Sequence, residues 1–202
     1  KYGDVAQFKS NVAHPSKTFD WINALTEPLR SEVIEWGFTP EAISVIPNGV
    51  DTEIFAPPAL PCDEPQVIFV GQFRPEKRVD LLLQAWAIVT RHTPQAHLTI
   101  VGGGQYLQQY KQLAHELQIN PTFIPNTDSK SVLMYLQRSS IFVLSGISEG
   151  MSNALLEAMA VGLAPIVCDT PANRAVITSE LNGLCYEPDS PATLAAQIIR
   201  LI

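Results

Sequence analysis

From Val67 to the end of the chain, short apolar runs alternate with amphipathic stretches at a regular spacing. The apolar runs cover residues 67–71, 97–101, 122–125, 141–145, 164–168 and 183–186. They are too short for helices, rich in Val, Ile and Leu, and continuous rather than alternating, as strands buried on both faces are. Between them, apolar residues recur at the helical period over 76–92, 105–118, 129–137, 153–161, 172–179 and 191–202. Strand–helix alternation of this kind predicts an α/β fold, a doubly wound parallel sheet with helices on both faces. Ligands of such sheets bind outside the carboxyl ends of the strands. The pattern therefore directs attention to the segments that follow the strands, where Gly71, Gly102 and Gly150 fall.

Residues 1–60 read differently. One short strand is expected within 18–25, an amphipathic helix over 27–36 ended by Gly37, and a second short strand over 44–47 closed by the Asn48-Gly49 turn signal. Pro57, Pro58, Pro61 and Pro65 then cluster as in a linker. This divides the chain into a leading segment, 1–60, and a regular domain, 61–202. At 202 residues the chain can bury a sizeable core without being long enough to require two complete domains. A net charge of −7 argues against nucleic acid as the main partner, so an anionic ligand must be met by a local cluster of cations. Three cysteines, an odd number without paired spacing, point to reduced thiols and a cytoplasmic setting, and Cys168 reads as a small core residue. No apolar run approaches the roughly 20 residues of a membrane span. The chain starts at Lys1 and stops inside the helical pattern that begins at Pro191, as a fragment cut at both ends would.

Three segments carry candidate chemistry. The first strand is followed by Gly71-Gln-Phe-Arg-Pro-Glu-Lys-Arg78, which sets Arg74, Lys77 and Arg78 at a strand end. A forked guanidinium and a flexible ammonium suit a diphosphate. Lys77 is the stronger candidate and Arg78 is expected to be simply exposed. The second strand is followed by Gly102-Gly-Gly-Gln105, whose glycines admit a ligand or a neighbouring loop, with a tight turn an equal alternative. Their spacing matches neither the dinucleotide fingerprint Gly-x-Gly-x-x-Gly nor a phosphate loop ending in Lys-Ser or Lys-Thr. The third segment, Ser148-Glu-Gly-Met-Ser-Asn-Ala-Leu-Leu-Glu157, follows the fourth strand. Ser152 and Asn153 are good N-cap residues, and the helix start they open attracts anions. Glu149 lies just before that start, and Glu157, the only charged residue between Gly150 and Cys168, lies more than a turn inside. As ionised acceptors the two carboxylates suit sugar hydroxyls, with a structural bond to backbone as the alternative for Glu157. Their placement lacks the opposition that a glycosidase acid and base require. His14, His92, His97 and His115 show no metal-ligand spacing, and Trp21, Trp36 and Trp86 read as core or interface.

Taken in order, Asn48-Gly-Val-Asp51 after Ile-Pro, then Gly71-Gln-Phe-Arg-Pro-Glu-Lys77, then Glu149 and Glu157 eight positions apart, resemble the retaining glycosyltransferases of family 4. That resemblance covers nearly the whole chain and implies a GT-B fold, two Rossmann-like domains across a cleft. The chain would be the C-terminal, nucleotide-sugar-binding half, preceded by the tail of the acceptor domain. By position, Lys77 would grip the donor diphosphate with Gly71 beside it, Glu149 the donor sugar hydroxyls, and Glu157 the ribose hydroxyls. Gly150, Met151, Ser152 and Asn153 would offer backbone amides, Asn126 would border the base, and Gly102 would line the site. Gln72 stands where many members have Arg, a charge Arg74 could supply. The resemblance implies a UDP-, GDP- or ADP-sugar donor, and the same run is similar to that of eukaryotic lipid-linked-oligosaccharide mannosyltransferases, which makes GDP-mannose one candidate among them. Val101-Gly-Gly-Gly lacks an Asp often found between two glycines. The resemblance further implies transfer with retention by same-face attack, no obligatory metal and no cofactor beyond the donor itself. The acceptor, a glycan or lipid-linked saccharide, would be held by the absent N-terminal half, with peripheral association at the inner membrane face. On this reading the fragment binds donor but does not turn over. Two other readings stand beside it: a non-catalytic nucleotide-binding or scaffold module, and a nicotinamide-dependent oxidoreductase, which the glycine spacing disfavours.

Overall fold

The computed structural model describes residues 20–59, 65–125, 127–147 and 150–202. They divide into two compact units, with the division between Asn48 and Gly49. In the first unit, β1 (Ile22–Ala24) pairs in parallel with β2 (Ile43–Val45), and α1 (Glu27–Glu35) packs on both. Thr26 caps α1 by accepting the Leu29 N–H at 3.3 Å, as a hydroxyl at a helix start does. Ala24, Val33, Phe38 and Ile43 close a small core. Of the core and interface readings of Trp21, its 59% exposure excludes the core. Trp36 is half-buried and Trp86, in the second unit, is buried.

The second unit is the expected α/β fold. Its strands are β3 (Gln66–Val70), β4 (His97–Val101), β5 (Thr122–Ile124), β6 (Ile141–Leu144), β7 (Ala164–Cys168) and β8 (Leu184–Tyr186). They form one six-stranded sheet in the order β5-β4-β3-β6-β7-β8, and every neighbouring pair is parallel. The intervening helices are α2 (Val79–His92), α3 (Leu107–Glu116), α4 (Ser129–Gln137), α5 (Asn153–Val161), α6 (Pro171–Arg174) and α7 (Pro191–Leu201).

Alternation along each strand splits the core in two. Val67, Phe69, Leu98, Ile100, Ile141 and Val143 join residues of α2, α3 and α7 in one cluster. Ile68, Phe142, Leu144 and Val167 join α4 and α5 in the other. This is the side-chain period of two that a sheet covered on both faces requires. Helix α2 contacts both α3 and α7, which is why eight of its fourteen residues are buried.

Among the helices shorter than their periodicity predicts, two are cut back for local reasons that the structure shows. The helical pattern at 76–92 begins only at Val79, after a 3-10 turn (Pro75–Lys77) and a left-handed Arg78. The Glu76 and Lys77 carbonyls, which a continuous helix would use internally, accept instead from Ile147 N–H at 3.1 Å and the Ser145 hydroxyl at 2.7 Å. The pattern at 172–179 yields only the four residues of α6. Beyond it the Asn182 side chain accepts the Thr178 N–H at 2.8 Å and donates to the Val176 carbonyl at 3.0 Å. A side-chain amide thus supplies partners that a helix would otherwise draw from its own backbone.

Candidate functional site

In this strand order the chain reverses direction between β3 and β6, the topological switch point at whose carboxyl ends such sheets bind ligands. Those two strands lead into the first and third candidate segments, and the residues just ahead of the third, 145–147, are joined to the first across more than 60 residues of sequence. The contact is made by the bonds from Ser145 and Ile147 to the Lys77 and Glu76 carbonyls. Ser145 is fully buried, and its own carbonyl accepts the Tyr186 hydroxyl at 3.0 Å.

The glycine segment after β4 belongs to the same edge, and the structure decides between its two readings. Gly71 N–H donates to the Val101 carbonyl at 3.0 Å, Phe73 N–H to Gly103 at 2.8 Å, and Gly102 N–H to Ile124 at 2.9 Å. A Cβ on Gly102 would stand 1.8 Å from the Gly71 carbonyl oxygen, and one on Gly104 2.8 Å from that of Phe73. These glycines let the post-β3 and post-β4 segments approach each other. Gly71 lies directly at the end of β3 and Gly102 directly at the end of β4, whereas Gly150 falls six residues past Leu144. Gln72 and Arg74 are exposed. Together with 103–106 they line an open cleft of about 490 Å³, which includes neither Lys77 nor α5. The Arg74 carbonyl accepts the Tyr110 hydroxyl at 3.4 Å, and Phe73 meets Tyr110 and Phe123 edge to face, at 5.8 and 6.3 Å between ring centroids. The backbone of this segment is therefore anchored while its polar side chains face outward.

Lys77 sits in the 3-10 turn, half-buried, rather than on α2. Arg78 is not a simply exposed residue: its side chain is 23% exposed and pairs with Asp80 and Asp189. On the other side of the switch point, Ser152 is the N-cap of α5 and accepts the Leu155 N–H at 3.4 Å. Asn153 opens the helix, and its first-turn amides lie at that end. Gly150 and Met151 are half-buried just before it. Glu149 and Asn126 lie outside the described residues, as do His14, Cys62 and Pro61.

Glu157 is half-buried on α5, and no described residue hydrogen-bonds or ion-pairs with it. That removes the backbone-bond alternative among the described residues. Burial raises its carboxyl above the ordinary glutamate value, because a partly desolvated charge is disfavoured when nothing offsets it. A raised acid binds its proton more tightly folded than unfolded. Its penalty is therefore absent below the ordinary value near 4.5 and grows as pH rises through the folded value. Glu157→Gln is accordingly expected to raise the melting temperature at pH 7. The gain should shrink to nothing as pH falls below about 4.5; a difference that does not change with pH in scanning calorimetry would refute this origin.

Sequence reasoning missed Ser145, Tyr186 and Asp189. Ser145 read as the last residue of a strand, and Asp189 is 111 residues from its partner Arg78, so no spacing or periodicity connects them.

Residues 50–202 match the family model described as glycosyl transferases group 1. A UDP-Gal:alpha-D-GlcNAc-diphosphoundecaprenol alpha-1,3-galactosyltransferase of Escherichia coli is 28% identical over 176 residues, 80% of this chain and 46% of its own length. A phosphatidyl-myo-inositol mannosyltransferase of Mycobacterium tuberculosis is 30% identical over 159 residues, 76% of this chain and 42% of its own. The chain thus spans less than half the length of these curated relatives. Among solved structures, TarM of S. aureus, in complex with UDP among other ligands, superimposes with a TM-score of 0.87 over all of this chain and 41% of its own, at 20% identity. At that identity the likeness concerns the fold, which is that of GT-B glycosyltransferases.

Proposed function

On the premise that this chain belongs to the group 1 glycosyl transferases, we propose that residues 49–202 form the donor side of an enzyme that transfers a sugar with retention from a nucleoside diphosphate sugar. The observation that carries this reading is the junction at the switch point. There the turn bearing Lys77 is hydrogen-bonded to the segment leading into the capped start of α5. A cation and a helix start at one edge make an anion site, and two phosphates need both. Arg74, one turn earlier and exposed, is the second cation, in place of the Arg that Gln72 displaces.

In this mechanism the reacting bond joins the sugar's anomeric carbon to the β-phosphate oxygen. Negative charge gathers on the departing diphosphate as that bond breaks, and Lys77, Arg74 and the amides of Gly150, Met151, Ser152 and Asn153 stabilise it. Groups fixed before the reaction need no reorganisation as the charge develops, which is where electrostatic catalysis gains most. Gly71 and Gly102 keep the strand ends close enough for the nucleotide to lie across them. Glu157 accepts from ribose hydroxyls and Glu149 from the sugar, with Asn126 beside the base. The acceptor, a glycan or lipid-linked saccharide at the cytoplasmic membrane face, is engaged by parts of the protein beyond this chain. Its attack from the side of the leaving group retains the anomeric configuration. No helix among the described residues is long and apolar enough to cross a membrane.

Isothermal calorimetry with UDP, GDP and ADP tests the reading directly. Saturable binding of at least one of them is expected, weakening as salt is raised because the contact is largely ionic. The base preferred would identify the donor class. If none of the three binds at millimolar concentration, the donor-side reading is wrong.

A further inference from the structure

The proposed grip depends on where the Lys77 turn stands, and three consecutive residues of that turn are tethered from elsewhere in the fold. The Glu76 carbonyl is held by Ile147 N–H and the Lys77 carbonyl by the Ser145 hydroxyl. The Arg78 guanidinium pairs with Asp80 on α2 and with Asp189 in the β8–α7 segment. Arg78 and Asp189 both have left-handed backbones, with φ of 49° and 57°, a conformation that residues bearing a Cβ enter only at a cost. Ser145 has no exposed surface and is itself held by the hydroxyl of Tyr186. Ser145 lies below the turn, in the sheet edge, and Asp189 reaches it from the neighbouring segment.

Resting on the donor-side reading above, we propose that Ser145 and Asp189 are positioning residues for the diphosphate: together they hold the turn so that the Lys77 amine enters the site in one orientation. The bond from Ser145 replaces the one that Leu81 N–H would make in a continuous helix; that N–H turns to the Arg78 carbonyl instead, at 3.1 Å. This exchange is what keeps Lys77 off α2 and at the strand-end edge. A turn held in advance spares the ligand the cost of ordering it, so the tethers act on affinity through Lys77.

The test combines two measurements on wild type, Ser145→Ala and Asp189→Asn. In hydrogen exchange without ligand, the Lys77 and Arg78 amides, which donate to Arg74 and Pro75 carbonyls at 3.0 and 3.1 Å, should exchange faster in both variants, with the interior of α2 unchanged. In calorimetry with whichever of UDP, GDP or ADP binds, Ser145→Ala should weaken affinity about tenfold and Asp189→Asn about threefold. Both losses should disappear in a Lys77→Ala background, because residues that act through one group are not additive with its removal. Should Ser145→Ala fail to fold, Asp189→Asn, at a side chain 67% exposed, carries the same comparison. Unchanged exchange in the turn, or equal losses with and without Lys77, overturns the proposal while leaving the donor-side reading intact. Absence of any nucleotide binding by the wild type overturns both.

Discussion

Gly102→Ala is expected to destabilise the second unit by about 3–5 kcal/mol, enough to remove much of a typical domain's 5–15 kcal/mol. Two independent costs add. Gly102 has φ of 147°, a region that residues with a Cβ adopt only under strain, at about 1–3 kcal/mol. The new Cβ would also stand 1.8 Å from the Gly71 carbonyl oxygen and 2.9 Å from its carbon. The obstruction is backbone, not the end of a flexible side chain, so relief requires the strand-end segments to separate. Overpacking of this kind costs about 1–3 kcal/mol and occasionally more. Separation would also break the Gly71-to-Val101 and Phe73-to-Gly103 hydrogen bonds. Chemical denaturation monitored by Trp86, buried on α2, measures the loss. A midpoint within experimental error of wild type would mean that the two segments are not packed as described.

Lys77→Ala is expected to weaken nucleoside diphosphate binding about 10- to 100-fold. The turn's backbone anchors are the Glu76 and Lys77 carbonyls, which the truncation leaves in place. The ligand loses a charge-assisted contact, worth about 1.5–3 kcal/mol. The loss should be concentrated on the second phosphate. Affinity for UDP, GDP or ADP should fall steeply, while affinity for the corresponding monophosphate falls little. The salt dependence of diphosphate binding should flatten at the same time. Equal diphosphate binding by Lys77→Ala and wild type in calorimetry would remove Lys77 from the site. Lys77→Arg is expected to recover only part of the affinity, since a planar fork does not occupy the position of a compact ammonium.

The two expectations differ in how far the sequence could have supported them. That Lys77 follows a buried strand in a cationic run was legible in the order of residues. Its removal from the helix was not, because the Ser145 hydroxyl takes the carbonyl that would have continued it. For Gly102 the sequence left open the approach of a ligand or a neighbouring loop, and a tight turn. The distance to Gly71, 31 positions earlier, shows the neighbouring loop. Arg78 shows the same limit: its charge was visible, but its pairing with Asp189 across 111 residues was not. Glu157 stands between these cases. Its isolation in an apolar helix was a sequence fact, and its lack of a described partner is a structural one.

By itself, then, the sequence determined the alternation of strands and helices, the two-faced core and the placing of the candidate segments after the strands. Those follow from short-range periodicity, since burial on a strand repeats every two residues and on a helix every 3.6. The order of motifs along the chain also pointed to the family that residues 50–202 match. What only the tertiary structure decided was which loops touch, where helix α2 begins, and which polar groups hold the Lys77 turn. These are contacts between strand ends made adjacent by the sheet order β5-β4-β3-β6-β7-β8. Backbone carbonyls and buried hydroxyls choose partners by distance in space, and a linear pattern carries no record of that distance.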